Sequence, residues 1–201
     1  HDTVQKSIDN YAEKLQSQGK IVKSTPKVAD YSTEPTTDWL KYFTNYTIDV
    51  VNQTKINYVY TDGNTIHTTV IEGKSGETVS VPNEIPTGYK LVAGLSVPTE
   101  ITFTADGYPI TNLAIETIHT TVTADNPKTT ADKLPDNPTK NYPEGVSESD
   151  LNKTVTRTIN ITDPRTQKVT PVVQTVHLTR SADVDEITGK VVYSDWTTSS
   201  F

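Results

Sequence analysis

The chain contains no cysteine and no methionine. Without cysteine there are no disulfides, no thiolate metal site and no cysteine nucleophile. The two absences together remove the side chains most open to oxidation, which suits a secreted surface protein that does without disulfides. Apolar residues are also scarce, at 33% of 201 residues, and mean hydropathy is -0.52. That is too little for one thick core and favours thin modules that each bury one sheet face. No window approaches the roughly 18 apolar residues needed to span a bilayer, so no membrane insertion is expected. Positive charge is outnumbered: 18 Lys and Arg stand against 25 Asp and Glu, giving a net charge of -7. Scattered lysines on an acidic chain lack the clustered footprint of a nucleic-acid binder, and no nucleic-acid partner is expected. The chain opens on His1 and shows no signal peptide. It reads as a piece of a longer protein, with export and anchoring signals expected outside it.

Threonine, in contrast, is the commonest residue and concentrates where strands are expected. A β-branched polar side chain suits the solvated face of a sheet. The last fifty residues carry the clearest pattern. Lys153 to Thr162, Thr170 to Arg180 and Lys190 to Ser194 read as three strands of an antiparallel meander. Asp163-Pro164 and Thr188-Gly189 punctuate them with turn chemistry: Pro presets φ, Asp bonds its own backbone and Gly reaches positive φ.

Residues 3–18 are predicted to be a helix, with Val4, Ile8, Tyr11, Ala12 and Leu15 on one face. Asp2 is placed to cap it, with Gln5 as capping-box partner, and Gly19 to end it. Further strands are expected at Lys20 to Ser24, Tyr46 to Val51 and Lys55 to Tyr60, and again at Thr65 to Ile71. Asp62-Gly63-Asn64 is the hairpin turn between the last two. Short strands follow at Thr78 to Val81, Lys90 to Val92 and Glu100 to Thr104, then a longer one at Leu113 to Val122. Residues 124–146 carry Pro127, Pro135, Pro138 and Pro143 with little apolar content, the composition of a semi-rigid spacer. The organisation read from the sequence is therefore an N-terminal module over 1–123, a Pro-rich linker over 124–146 and a C-terminal β module over 147–201. Residues 1–53 could also form part of a separate unit.

Candidate chemistry is sparse. His67, His119 and His177 each sit inside an expected strand and read as polar strand positions. There is no Gly-x-Ser-x-Gly elbow. The carboxylates lie in turns, where two seldom face each other across the cleft a glycosidase needs. Asp183 and Asp185 could hold a structural Ca²⁺, although they lack the glycine and frame of an EF-hand; turn capping is the default reading. If exposed, Tyr31, Trp39, Tyr42, Tyr46 and Trp196 are the candidate ligand contacts, because aromatic faces stack on sugars and dominate interfaces. The competing reading places Trp39 and Phe43 in a small core below the helix and Trp196 as a seal on the last module.

Two stretches resemble known repeats. Ile56-Asn57-Tyr58-Val59-Tyr60-Thr61-Asp62-Gly63-Asn64, Gly73-Lys74-Ser75-Gly76-Glu77 and Ile85-Pro86-Thr87-Gly88-Tyr89-Lys90-Leu91-Val92 resemble the mucin-binding (MucBP) repeat. Lys153 to Asn160, Gln174 to Arg180 and Val184 to Trp196 resemble the C-terminal part of the long mucus-binding (Mub) repeat. The resemblance implies a strand-dominated α+β protein, built of tandem ubiquitin-like β-grasp modules in an elongated arrangement. It also implies a cell-wall-anchored, extracellular adhesin of lactic-acid bacteria, non-enzymatic and without a required cofactor. The implied partners are mucin glycoproteins or their glycans, immunoglobulins for some members, and neighbouring repeats of the same chain. A non-binding stalk module and a carbohydrate-active enzyme are the alternatives.

Overall fold

The computed structural model describes residues 2–28 and 45–198. Tyr31, Trp39 and Tyr42 lie outside the described residues. The chain divides into two compact units, one formed from residues 1–85 with 91–115, the other from 86–90 with 116–201.

In the first unit α1 (Asp2–Ser17) buries Ile8, Ala12 and Leu15, three of the five apolar positions whose spacing predicts it. In its first turn Gln5 accepts from the Val28 amide at 2.9 Å and donates to the Pro26 carbonyl at 3.3 Å. A pair of chain-reversing bonds closes the other end: Lys20 N–H reaches the Leu15 carbonyl at 3.1 Å and Gly19 N–H the Gln16 carbonyl at 3.0 Å. This double closure needs a left-handed residue, and Gly19 takes it at φ +81.

β1 (Ile21–Ser24) pairs antiparallel with the start of β2 (Asp49–Tyr60). β2 fuses the two strands expected at 46–51 and 55–60 into one. It turns through Asp62-Gly63-Asn64 into β3 (Thr65–Gly73), where Asp62 Oδ1 accepts from the Asn64 amide at 2.9 Å. β4 (Thr78–Ser80) pairs with β6 (Glu100–Thr102) in a separate two-stranded ribbon. β5 (Tyr89–Leu91) and β7 (Thr111–Thr117) complete the main sheet, and β7 runs parallel to β2 from Ile56↔Thr111 to Tyr60↔Ile115. Alternation along these strands buries Ile56, Tyr58, Ile71, Leu113 and Ile115, with Ile101 and Phe103 added from around β6. Buried polar atoms are answered: Asn52 accepts from Lys20 Nζ at 2.8 Å, and Thr54 donates to the Pro109 carbonyl at 3.0 Å.

In the second unit β8 (His119–Val122) is a strand of its own, whereas a single strand is expected over 113–122. The break falls at Ile118, whose N–H bonds Gly88 and whose carbonyl takes the Glu186 N–H, both at 2.9 Å. A short helix α2 (Glu148–Leu151) leads into β9 (Asn152–Thr162) and β10 (Val169–Thr179), joined at the Asp163-Pro164 turn. Asp163 Oδ1 accepts from the Arg165 amide at 2.8 Å, the bond the turn chemistry predicts.

Two expectations change here. The three-stranded meander is not what forms. The stretch over 183–189, read as a turn, opens with a strand, β11 (Ala182–Asp185), which pairs on one side with β8 and on the other with β12 (Val191–Tyr193). β13 (Thr197–Thr198) pairs with the end of β10, leaving β12 in a different sheet from β9 and β10. The physical reason is burial: Ala182 and Val184 are fully enclosed, a feature of alternation too short to outweigh three acids nearby.

The second change concerns 124–146, expected as a surface spacer. Leu134, Tyr142 and Val146 from this stretch are buried with Val122, Leu151, Ala182 and Val184 in one cluster. Its prolines set turns rather than an extended rod. Leu134 N–H bonds the Lys140 carbonyl at 3.1 Å, Tyr142 N–H the Asp132 carbonyl at 2.9 Å and Lys128 N–H the Val146 carbonyl at 2.9 Å. A loop closed on itself can send a few apolar side chains inward while its polar residues stay wet.

Candidate functional site

Two surface clusters of the second unit and one recess of the first carry the side chains that could meet a ligand. β10 ends at Thr179 and delivers Arg180, whose backbone N–H bonds the Leu151 carbonyl at 3.0 Å and whose Nε donates to the Asp150 carbonyl at 2.8 Å. Fixed in this way, the guanidinium lies 3.5 Å from the ring centre of Tyr193 and 4.5 Å from that of Trp196. Both are cation–π distances. Tyr193 is anchored in turn by its hydroxyl, which donates to the Gly145 carbonyl at 2.8 Å. Trp196 remains 37% exposed, so it neither seals the module nor swings free. A polar recess of about 250 Å³ includes Arg180 in its wall, with Asp125, Thr179, Ser181, Ser194 and Thr197. An aromatic edge beside hydroxyls, a carboxylate and a guanidinium is a surface suited to a polar, ring-shaped ligand.

The second cluster is acidic. Register places His119 opposite Asp185, and His119 Nδ1 meets Asp183 Oδ2 at 2.6 Å. Asp185 Oδ2 accepts the Thr117 hydroxyl at 2.8 Å, while Oδ1 takes the Ile187 and Thr188 amides at 2.8 and 2.9 Å. Burial opposes ionisation of Asp185, but the Thr188 and Ile187 amides, the Thr117 hydroxyl and His119 outweigh it and hold the carboxyl below its usual range. Both acids offered for Ca²⁺ thus already serve the fold, Asp185 as the cap of the 185–189 turn. Among the described residues no group of three or more His, Asp or Glu is arranged to hold a metal ion. The other strand histidines are likewise paired, His67 with Glu84 at 2.9 Å and His177 with Asn152 at 3.0 Å.

Glu186, next in the chain, is fully buried. Its Oε2 accepts the Asp136 amide at 2.9 Å and its Oε1 has no partner. Burial drives its carboxyl above the usual range, opposed by the Asp136 amide and reinforced by the Asp136 charge. A raised carboxyl favours folding while it is protonated. That contribution is complete below the unfolded value of 4.5 and is lost as pH rises through the folded value. Glu186→Gln, neutral throughout, is therefore expected to melt with the parent near pH 4 and above it near pH 7. Thermal melts across that range check the sign.

In the first unit Tyr46 is half-buried and lines an apolar recess of about 490 Å³ with Val4, Ile8, Tyr11 and Leu15 of α1. Of the five aromatic candidates, the described residues therefore place Tyr46 and Trp196, in separate units. Sequence reasoning missed Arg180 and Tyr193. Their signal was the pair of aromatics Tyr193 and Trp196 at and just beyond the end of one strand, with a lone Arg following another. Glu186 had none, since it sits in a run of acids that all look like turn residues.

Residues 146–201 match the family described as the Muc B2-like domain. Among solved structures, the type 2 repeat of the mucus binding protein MUB from Lactobacillus reuteri is 15% identical, with 73% of this chain and 75% of that chain covered and a TM-score of 0.36. The crystal structure of Mub-RV is 23% identical, covering 73% of this chain and 72% of that one, with a TM-score of 0.39. No curated protein sequence matches the chain. The family match thus places a Muc B2-like domain in the C-terminal part of the chain, at residues 146–201.

Proposed function

We propose that the chain is one repeat of a cell-wall-anchored adhesin, and that it holds mucin glycans weakly at the face built by Arg180, Tyr193 and Trp196. The observation that carries this reading is the half-exposed Trp196 ring held over Arg180 beside a polar recess. A sugar ring stacks on the indole while its hydroxyls exchange hydrogen bonds with Ser, Thr and Asp side chains. One such shallow contact is weak. Tandem copies multiply it, since a second engagement on the same mucin strand is intramolecular. The first unit is compatible with the β-grasp reading: β2 and β7 form a parallel pair, with β3 antiparallel beside β2. The three aromatics outside the described residues, Tyr31, Trp39 and Tyr42, and the recess at Tyr46 are further contacts in this reading.

The test is binding of the chain to immobilised mucin by surface plasmon resonance. Trp196→Ala is expected to weaken the monovalent interaction roughly tenfold, the loss of one stacking aromatic. Circular dichroism of the variant checks that the module stays folded. Unchanged binding by the variant would remove this face from the account. No binding by single or tandem chains would leave a stalk module. Immunoglobulin on a second channel tests the other partner that the family resemblance implies.

A further inference from the structure

The β9–β10 ribbon meets the proposed glycan face only at one end, where Thr179 of β10 and the Arg180 that follows it line the recess. Its two 11-residue strands pair from Asn152↔Thr179 to Thr162↔Val169 without a shift of register. Opposed residues of an antiparallel pair share a face. Lys153, Val155, Arg157, Ile159 and Ile161 therefore lie on one face, above Leu178, Val176, Gln174 and Val172. That face is wet: Val155, Ile161, Val172 and Val176 are 43%, 55%, 39% and 37% exposed. β13 covers the far side of β10 only at Leu178 and Thr179. Among the described residues no strand pairs with the outer edge of β9.

Charge singles out what fits there. Between Asn152 and Arg180 the bases are Lys153, Arg157, Arg165, Lys168 and Arg180 and the one acid is Asp163, in a chain whose net charge is -7. The stretch contains no Phe, Tyr or Trp, so it offers methyl groups and open backbone rather than a stacking surface. We propose that the β9 edge takes up an extended acidic segment of a partner protein by antiparallel strand addition. Strand addition satisfies the free edge groups, and the added strand's side chains extend the existing face. Running antiparallel, the segment would place apolar residues beside Ile161, Ile159 and Val155 and carboxylates beside Arg157 and Lys153. Its pattern is apolar-x-apolar-x-acidic-x-apolar-x-acidic. Full overlap with a second copy of β9 is disfavoured, because symmetric antiparallel pairing about the strand's midpoint sets Arg157 against Arg157, and like charges directly opposite are destabilising. The same cations guard the edge against self-association, as charged residues do on natural edge strands.

The probe is the capped peptide Val-Thr-Val-Thr-Glu-Thr-Val-Thr-Glu, compared with its counterpart carrying Lys in place of Glu. Titration calorimetry is expected to show binding of the acidic peptide only, and hydrogen exchange to show new protection confined to 152–162. The double variant Lys153→Glu with Arg157→Glu is expected to bind the acidic peptide about tenfold more weakly and to gain affinity for the Lys peptide, because two cross-strand charge pairs change sign. Both positions are exposed, so the fold is retained, and circular dichroism checks it. Any of four results would overturn the proposal: equal binding of the two peptides, protection away from β9, preferential binding of heparin to the ribbon, or dimerisation of the free chain through β9. None of these bears on Trp196, so the failure of this inference and that of the glycan reading are separable.

Discussion

Leu134→Ala is expected to destabilise the second unit by about 2–5 kcal/mol, the cost of a cavity in a packed aliphatic site. Leu134 is 2% exposed and sits in the cluster with Val122, Leu151, Ala182 and Val184. The residue lies in the middle of a stretch that composition alone assigns to a spacer, where truncating one Leu would change little. Its backbone is held from both sides, by its own bond to the Lys140 carbonyl and by the Tyr142 bond to Asp132, so the loop cannot collapse into the gap. Urea unfolding followed by circular dichroism measures the loss. A midpoint shift within error of zero would return 124–146 to the role of a linker.

The second large effect belongs to the first unit. Phe103 is fully buried, meets Tyr108 edge-on at 6.4 Å and packs into the space that Gly73 leaves open. A β-carbon added at Gly73 would lie 2.5 Å from the ring of the fully buried Phe103 and 2.9 Å from Val79. Phe103→Ala is expected to cost about 3–5 kcal/mol. Gly73→Ala, which overfills the same site, is expected to cost about 1–3 kcal/mol. The two together should lose less than the sum of the singles, since the alanine methyl enters the space the ring vacates. Equilibrium unfolding of the two singles and the double closes the cycle, and strict additivity would show that the ring does not occupy that space.

How much of this was legible in the sequence differs from element to element. The helix was, because five apolar residues at helical spacing ending in Gly19 leave little else for the segment to do. The β2–β3 hairpin was, because Asp62-Gly63-Asn64 dictates the turn and the strands on either side alternate. What failed was long-range pairing. Val184 carries one buried methyl pair among Asp183, Asp185 and Glu186, and nothing local says that β8 waits across the sheet to enclose it. Leu134 and Tyr142 failed for the same reason: a few inward side chains in a polar, proline-punctuated loop become core only through partners distant in the sequence. The candidate site was half legible. Trp196 stood out as an aromatic near a strand end, but its partner Arg180 comes from another strand, and only the turn of the chain between them brings the two together.

The most direct measurement of the central claim is chemical-shift mapping of the isotope-labelled chain during titration with released mucin O-glycans. The account predicts graded, fast-exchange shifts centred on Arg180, Tyr193 and Trp196 and on the hydroxyl residues of the adjoining recess, in keeping with weak single-site binding. Saturating glycan that leaves those resonances unmoved would contradict it.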